Sequence, residues 1–277
     1  MKKKRIFWIF LLLVLFAFAW ELYDRATCVQ PVSVTLADLS SYAGKEVLTD
    51  RDYEFLFLQT GLGKPAVDAL RKHPETCADE LSLFQKQLAD YSGYERNYLF
   101  FPTTTAETLQ NAEKRPVKMA LPPLEKGDIL ITGSTKTLLL RHGHSAIVTD
   151  SSGEMIEAMM LGTSSARSDA KLWSSYATLM ILRPKVEQSI KDRAVAFAEE
   201  KLLDVPYSLL AGLGTKDVSQ QEKIESTHCS HLVWQAYKAA GLDLDANGGI
   251  FVLPKDIAGS GDLELVFAYG FGEDGKW

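Results

Sequence analysis

The chain has 277 residues, of which 46% are hydrophobic and 24% charged, with a net charge of −6. An acidic balance without a basic stripe argues against a nucleic-acid partner. The composition is that of an ordinary globular protein, with no low-complexity tract or internal repeat, and the length suits one large domain or two small ones.

In chain order, "MKKKR" comes first, followed by an uncharged apolar run from Ile6 to Trp20. A basic head and a short apolar stretch have the layout of a secretory signal. Ala17 and Ala19 offer a small-x-small cleavage site, so residues 1–19 are expected to be a signal peptide cut after Ala19 or, in the second reading, an uncleaved anchor. The run is shorter than the ~20 residues that comfortably span a bilayer, which favours cleavage. Cys28 follows "DRAT", too far beyond the run for a lipoprotein. In both readings the rest of the chain is exported to the periplasm or cell envelope, with inner-membrane association if the segment stays. Its removal takes Lys2, Lys3, Lys4 and Arg5 with it and shifts the net charge from −6 to −10.

Three cysteines in an oxidising compartment leave at least one unpaired. Cys28 and Cys77 both lie in polar N-terminal segments, "DRATCVQP" and "HPETCADE", so a Cys28–Cys77 disulfide is expected, with Cys229 as the free thiol. Three unpaired cysteines are the alternative in a weakly oxidising compartment.

Residues 20–120 are expected to form a mainly helical region. "TLADLSSYAG", "TDRDYEFLFLQTGLG", "KPAVDALRK" and "CADELSLFQKQLADYSG" carry apolar residues at three-and-four spacing, and the helical reading extends over 32–115. Thr49 or Asp50 can cap the second of these helices, and Gly61 or Gly63 can end it. His73, before Pro74, reads as a surface turn residue. "RPVKMALPPLEKG" then reads as a connector.

From residue 121 to 277 the period changes. "GDILITG", "HSAIVTD", "EMIEAMM" and "YATLMILRP" read as strands, with a hairpin turn at "DSSGE". A helix over "VEQSIKDRAVAFAEEKLL", the helix of "THCSHLVWQAYKAAG", a strand at "GGIFV" and a closing strand at "LELVFAYG" complete an α+β domain with a small antiparallel sheet.

Cys229 falls in the first turn of its helix, with Thr227 or Ser226 as the expected N-cap. The open N–H groups and the dipole there favour an anion, and a neighbouring imidazolium lowers a thiol further. A nucleophilic cysteine needs a base, and the base needs an orienting group. His144 begins the strand "HSAIV", and Glu157 lies across the following turn, close to opposite if the two share a face. His142 competes with His144, which is preferred because it joins the apolar strand directly. His228 and His231 read as surface or supporting residues. A zinc site built from His142, His144, Cys229 and His228 lacks any C-x-x-C or H-E-x-x-H spacing, so no metal or other cofactor is expected.

The series "GDILITG", "GHSAIVTD", "MIEA", "DVPYSLL", "THCSHLVWQAYKAAG" and "LPKDIAGSGDLELV" resembles the NlpC-type papain-like cysteine hydrolases, over residues 121–266. The order His, carboxylate, Cys is similar to that of their circularly permuted, YiiX/YebB-like branch. The resemblance implies a permuted papain-like domain with Cys229 as nucleophile, His144 as base, Glu157 as the polar third member and Tyr207 lining the substrate cleft. It departs from the cell-wall enzymes at His228, where they usually carry aspartate, and at His231, where glycine is usual. The expected activity is cleavage of an amide through a thioester acyl-enzyme, with peptide bonds of peptidoglycan stems as obvious substrates. The alternatives are a lipid-directed acyltransferase or thioesterase and a non-catalytic envelope binding protein. The expected partner is therefore a peptide or acyl substrate in the cell envelope.

Overall fold

The structure, a computed structural model, describes residues 2–27, 35–100, 103–137, 140–213 and 216–271. In chain order its helices and strands begin with α1 (Lys2–Thr27), α2 (Ser40–Ala43), α3 (Asp50–Thr60), α4 (Lys64–Leu70) and α5 (Pro74–Asp90). Eight strands and a short helix follow: β1 (Gly93–Phe100), β2 (Thr104–Gln110), β3 (Ile129–Thr132), β4 (Thr135–Thr137), β5 (Leu140–Arg141), β6 (His144–Val148), β7 (Glu154–Glu157), β8 (Ala166–Asp169) and α6 (Ala170–Trp173). The chain continues through β9 (Leu179–Pro184), α7 (Gln188–Lys201), α8 (Cys229–Ala239) and α9 (Pro254–Ala258) to β10 (Leu263–Tyr269).

The apolar run at the N-terminus belongs to a longer helix than its sequence boundaries suggest. α1 continues through Ala19 without a break, and its stretch Arg5–Asp24 is 20 residues long with a mean hydropathy of 2.2. At 1.5 Å per residue this covers ~30 Å, the thickness of a bilayer's hydrocarbon core. Most of its large apolar side chains stand exposed rather than in the protein core. Length and composition suffice to cross a membrane, and a signal sequence meets the same description.

The next helices form where their ends are signalled. Thr49 and Asp52 make a capping box at the start of α3, and Gly61, at φ +73°, ends it in the left-handed conformation. Gly61 and Gly63 also lie against the closing strand. Ala268 N–H donates to the Gly61 carbonyl, and Gly63 N–H donates to Val266, each at 2.9 Å. The loop thereby covers the outer edge of β10. A Cβ on Gly63 would lie 1.9 Å from the Leu265 carbonyl oxygen.

Residues 93–110, expected within the helical region, instead form the β1–β2 hairpin, with Arg96 opposite Glu107 and Tyr98 opposite Thr105. Tyr94, Tyr98, Phe100 and three threonines favour strands, and Pro102 in the sequence between them is incompatible with a helix interior. The connector at 115–126 is irregular, as its prolines require. Residues 248–252, expected as a strand, are irregular too: Gly248 sits at φ +65° and Ile250 points outward, 70% exposed.

Two antiparallel sheets result, one of four strands ordered β1-β2-β4-β5 and one of six ordered β10-β9-β3-β6-β7-β8. The larger sheet is buried on both faces. Leu130 of β3 joins the core formed with α3, α4 and α5, whereas its neighbours Ile129 and Ile131 join the core formed with α7 and α8. That double burial explains why "ILIT" reads as a continuous apolar run rather than an alternation. The architecture is α+β, with the N-terminal helices and the cysteine helix on opposite faces of one sheet.

Candidate functional site

β6 and β7 set the geometry of two of the expected residues. Their register pairs Ala146 with Glu157, so His144 is the diagonal neighbour of Glu157 on the same face rather than its direct opposite. That offset suits a long carboxylate. Glu157 Oε2 meets His144 Nε2 at 2.7 Å, with both side chains almost fully buried. The indole of Trp173, at the end of α6, stacks on the His144 ring at 5.0 Å between centroids, and its Nε1–H donates to the same Glu157 oxygen at 3.2 Å. Imidazole and carboxylate are thus fixed together, and His144 Nδ1 is left for another partner.

That partner comes from α8. Leu232, Val233 and Ala236 pack into the core beneath β3, β6 and β7, which brings the start of the helix to the beginning of β6, where His144 stands. Cys229 is the first residue of α8 and is 5% exposed. Its Sγ lies 4.0 Å from Ser230 Oγ, and its titration is governed by the neighbouring His144 and His228 imidazoles. Burial alone would push the thiol up, but these two rings outweigh it and hold Cys229 well below the ordinary thiol range. Burial opposes the charge on His144 as well, yet the adjacent Cys229 thiol and the bonded Glu157 carboxylate raise it above the usual histidine range. Glu157, whose burial would favour the neutral acid, is lowered by its bond to His144 and by the charge there. The three residues form one buried set in which thiol, imidazole and carboxylate are each shifted toward the charged form by a neighbour.

The N-cap of α8 is His228 rather than Thr227 or Ser226. Its backbone is extended, and Nδ1 accepts the His231 N–H at 3.3 Å. Thr227 is occupied elsewhere: its N–H donates to the Pro206 carbonyl at 3.0 Å, and its own carbonyl accepts from Ser208 at 2.8 Å. These two bonds lay Tyr207 alongside Thr227 and next to Cys229. Burial and the adjacent thiolate both raise the Tyr207 phenol, which keeps it a neutral donor.

Of the two readings, surface or supporting, His228 and His231 take the second: they are buried, at 7% and 2% exposure. His231 supports the helix start, with Nε2 donating to the Lys216 carbonyl at 2.9 Å and Nδ1 accepting from Thr227 at 3.1 Å. Burial lowers its pKa to about 4. His142 also lies near Cys229, but its Nδ1 is engaged by the Gly143 carbonyl at 2.6 Å and its Nε2 by Thr137 at 2.9 Å. Burial pushes its pKa down. Among the described residues no group of three His, Cys, Asp or Glu side chains is arranged to hold a metal ion.

Cys77 is a buried free thiol on α5, and Cys28, its expected partner, lies outside the described residues. Trp173 was not among the sequence candidates. Its contact with His144 bridges 29 positions in the chain, and no local pattern in "AKLWSS" announces it. His73 is exposed, as its place before Pro74 suggests.

The arrangement can form a nucleophilic thiolate, deliver a proton from an adjacent imidazolium, and offer the open N–H groups of a helix start to a developing oxyanion. Compared with known proteins, the chain matches no family model, no curated protein and no solved structure.

Proposed function

We propose that the protein is a cysteine hydrolase of the cell envelope that cleaves an acyl bond, an amide in the first instance, through a thioester intermediate. The observation that carries this reading is the buried Cys229–His144–Glu157 set at the start of α8, in which thiol and imidazole are shifted toward the ion pair. Cys229 attacks the carbonyl carbon. The tetrahedral oxyanion is met by N–H groups at the helix start and by the neutral Tyr207 hydroxyl. His144 gives its proton to the leaving amine, then takes one from the water that hydrolyses the thioester. Glu157 orients His144 and stabilises its charge, in the manner of a triad's third member.

The order His144, Glu157, Cys229 and the antiparallel sheet beneath α8 support a circularly permuted papain-like reading of residues 121–277. α1, as a signal or an anchor, supports export to the periplasm or cell envelope. The test is alkylation by iodoacetamide followed by mass spectrometry. Labelling at Cys229 should be fast at neutral pH in the wild-type protein and slow in His144→Ala, and an acyl adduct on Cys229 should be trapped from a turned-over substrate. Labelling at the same rate in both proteins removes the case for a cysteine hydrolase.

A further inference from the structure

We propose that Glu21 and Asp24, at the polar end of α1, are positioning residues of the Cys229 site: they clamp the hairpin that delivers His144. This rests on the reading of Cys229 and His144 as nucleophile and base.

His144 opens β6 at the point where the chain re-enters the six-stranded sheet. The chain leaves that sheet at Thr132, the strand partner of His144, and passes through β4 and β5 of the smaller sheet before it returns. Contacts at the base of this excursion therefore set where the His144 backbone stands. The Thr135 carbonyl accepts the N–H groups of His142 and Gly143, each at 3.3 Å. Arg141 Nη1 reaches across the base and donates to the Gly133 carbonyl at 2.6 Å. Thr137 meets His142 Nε2 at 2.9 Å.

Lys136 and Arg141, cross-strand partners in this hairpin, are both held by α1. Asp24, 4% exposed, accepts from Lys136 Nζ at 2.5 Å, and from Arg141 Nε and Nη2 at 2.9 and 2.8 Å. Glu21 accepts from Lys136 at 2.8 Å and pairs with Arg96 of β1. The two acids are three positions apart, which places them on one face of the helix. The fully buried Glu107 of β2 accepts from Arg141 at 2.7 Å and from Arg96 at 2.8 Å. Three cations and three carboxylates thus close into one ion lattice around the hairpin.

Without Glu21 and Asp24, Lys136 and the two arginines would share Glu107 alone, and buried positive charge left uncompensated is driven toward water. Lys136 lies between Thr135 and Thr137, and Arg141 directly precedes His142. Their movement pulls on the backbone that ends at His144. Glu157 and Trp173 still hold the ring, so the imidazole is displaced from the thiol rather than lost. A misplacement of about 1 Å between reacting groups can cost about 100-fold in rate. Both acids lie beyond Ala19, so the clamp survives a cut there as well as retention of α1.

The test compares the full chain in detergent micelles with the double variant Glu21→Gln, Asp24→Asn. Iodoacetamide labelling of Cys229 is timed by mass spectrometry from about pH 5 to 10, with thermal unfolding recorded on the same samples. In the variant the rise in rate should move to higher pH, with labelling at neutral pH about tenfold slower, equivalent to one pKa unit. Removing two carboxylates changes the local field in the opposite direction, since less negative surroundings favour a thiolate. An alkaline shift therefore reports a displaced imidazole. Gly63→Ala, at the β10 edge, lowers stability without touching the lattice and should keep the wild-type profile. If the double variant shows no cooperative unfolding, Glu21→Gln replaces it, with Asp24 still bonded to Lys136 and Arg141. Labelling at neutral pH should then slow about threefold, half a pKa unit. A folded variant with the wild-type profile overturns the positioning role and leaves the hydrolase reading standing. An equal alkaline shift in Gly63→Ala overturns it too, because lost stability alone would then move the profile. Slow wild-type labelling that is indifferent to His144→Ala overturns the hydrolase reading and this proposal with it.

Discussion

His144 and Cys229 are shifted in opposite directions, and this sets a pH signature. An ordinary thiol alkylates faster as pH rises through ~8.5, because only the thiolate reacts. Cys229, held low by His144 and His228, should reach its plateau well before that pH and lose reactivity only in acid. In His144→Ala the rate at pH 7 should fall about tenfold or more, one pKa unit for each factor of ten, and climb again only at alkaline pH. The same shifts act on stability with opposite signs. The lowered thiol contributes above the ordinary thiol pKa, and its contribution fades as pH falls through the folded value. The raised imidazole contributes below the ordinary histidine pKa and loses that contribution as pH rises through its folded value. Glu157→Gln keeps the shape of the third member but removes its charge. Turnover should drop about tenfold or more, with alkylation at neutral pH reduced as His144 loses the carboxylate that favours its protonated form.

At the scale of elements, the β10 edge depends on the close approach of the loop at 61–63. Gly63→Ala would place a methyl 1.9 Å from a backbone carbonyl oxygen, which no rotamer change relieves. The expected cost is about 1–3 kcal/mol, read as a lowered urea midpoint with unchanged slope. Gly93→Ala, where an added Cβ meets nothing within 4 Å, is the matched control and should be neutral within about 0.5 kcal/mol. The β4–β5 hairpin poses the converse case, in which a charge holds the element. Arg141→Ala leaves Glu107 buried with only Arg96 beside it and removes a bond to the Gly133 carbonyl at 2.6 Å. A loss of about 3–5 kcal/mol is expected in thermal or urea unfolding.

For the whole molecule, the end of α1 is a structural part of the domain, beyond an apolar stretch with the length and composition of a signal or anchor. A chain beginning at Trp20 keeps Glu21 and Asp24 and should fold with nearly the full unfolding midpoint. A chain beginning after Asp24 leaves Lys136, Arg96 and Arg141 opposed by Glu107 and should be markedly less stable. Equal midpoints for the two truncations would show that the ion lattice contributes nothing to folding. N-terminal sequencing of the membrane fraction decides cleavage separately: an intact Met1 start identifies a retained anchor, and Trp20 a processed signal.

Local signals determined the elements whose causes are local. Thr49 and Gly61 bracket α3, the "DSSGE" turn joins β6 to β7, and the apolar spacing of "LVWQA" marks α8 with Cys229 in its first turn. The candidate site residues were legible too, because a cysteine at a helix start and a histidine opening an apolar strand are unusual in their own neighbourhoods. Tertiary structure decided what depends on distant chain segments. It set the diagonal offset between His144 and Glu157, since strand register follows from packing on both faces of the sheet. It moved His228 into the cap position because Thr227 is held by the Pro206–Ser208 segment, and it buried His231 against the loop at Lys216. It turned residues 93–110 into a hairpin that gains β4 as a neighbour, a partner invisible to helix periodicity. It also joined Glu21 and Asp24 to Lys136 and Arg141, more than 100 positions away. Charges that distant in sequence have no pattern to betray them, and only the folded chain brings them within hydrogen-bonding distance.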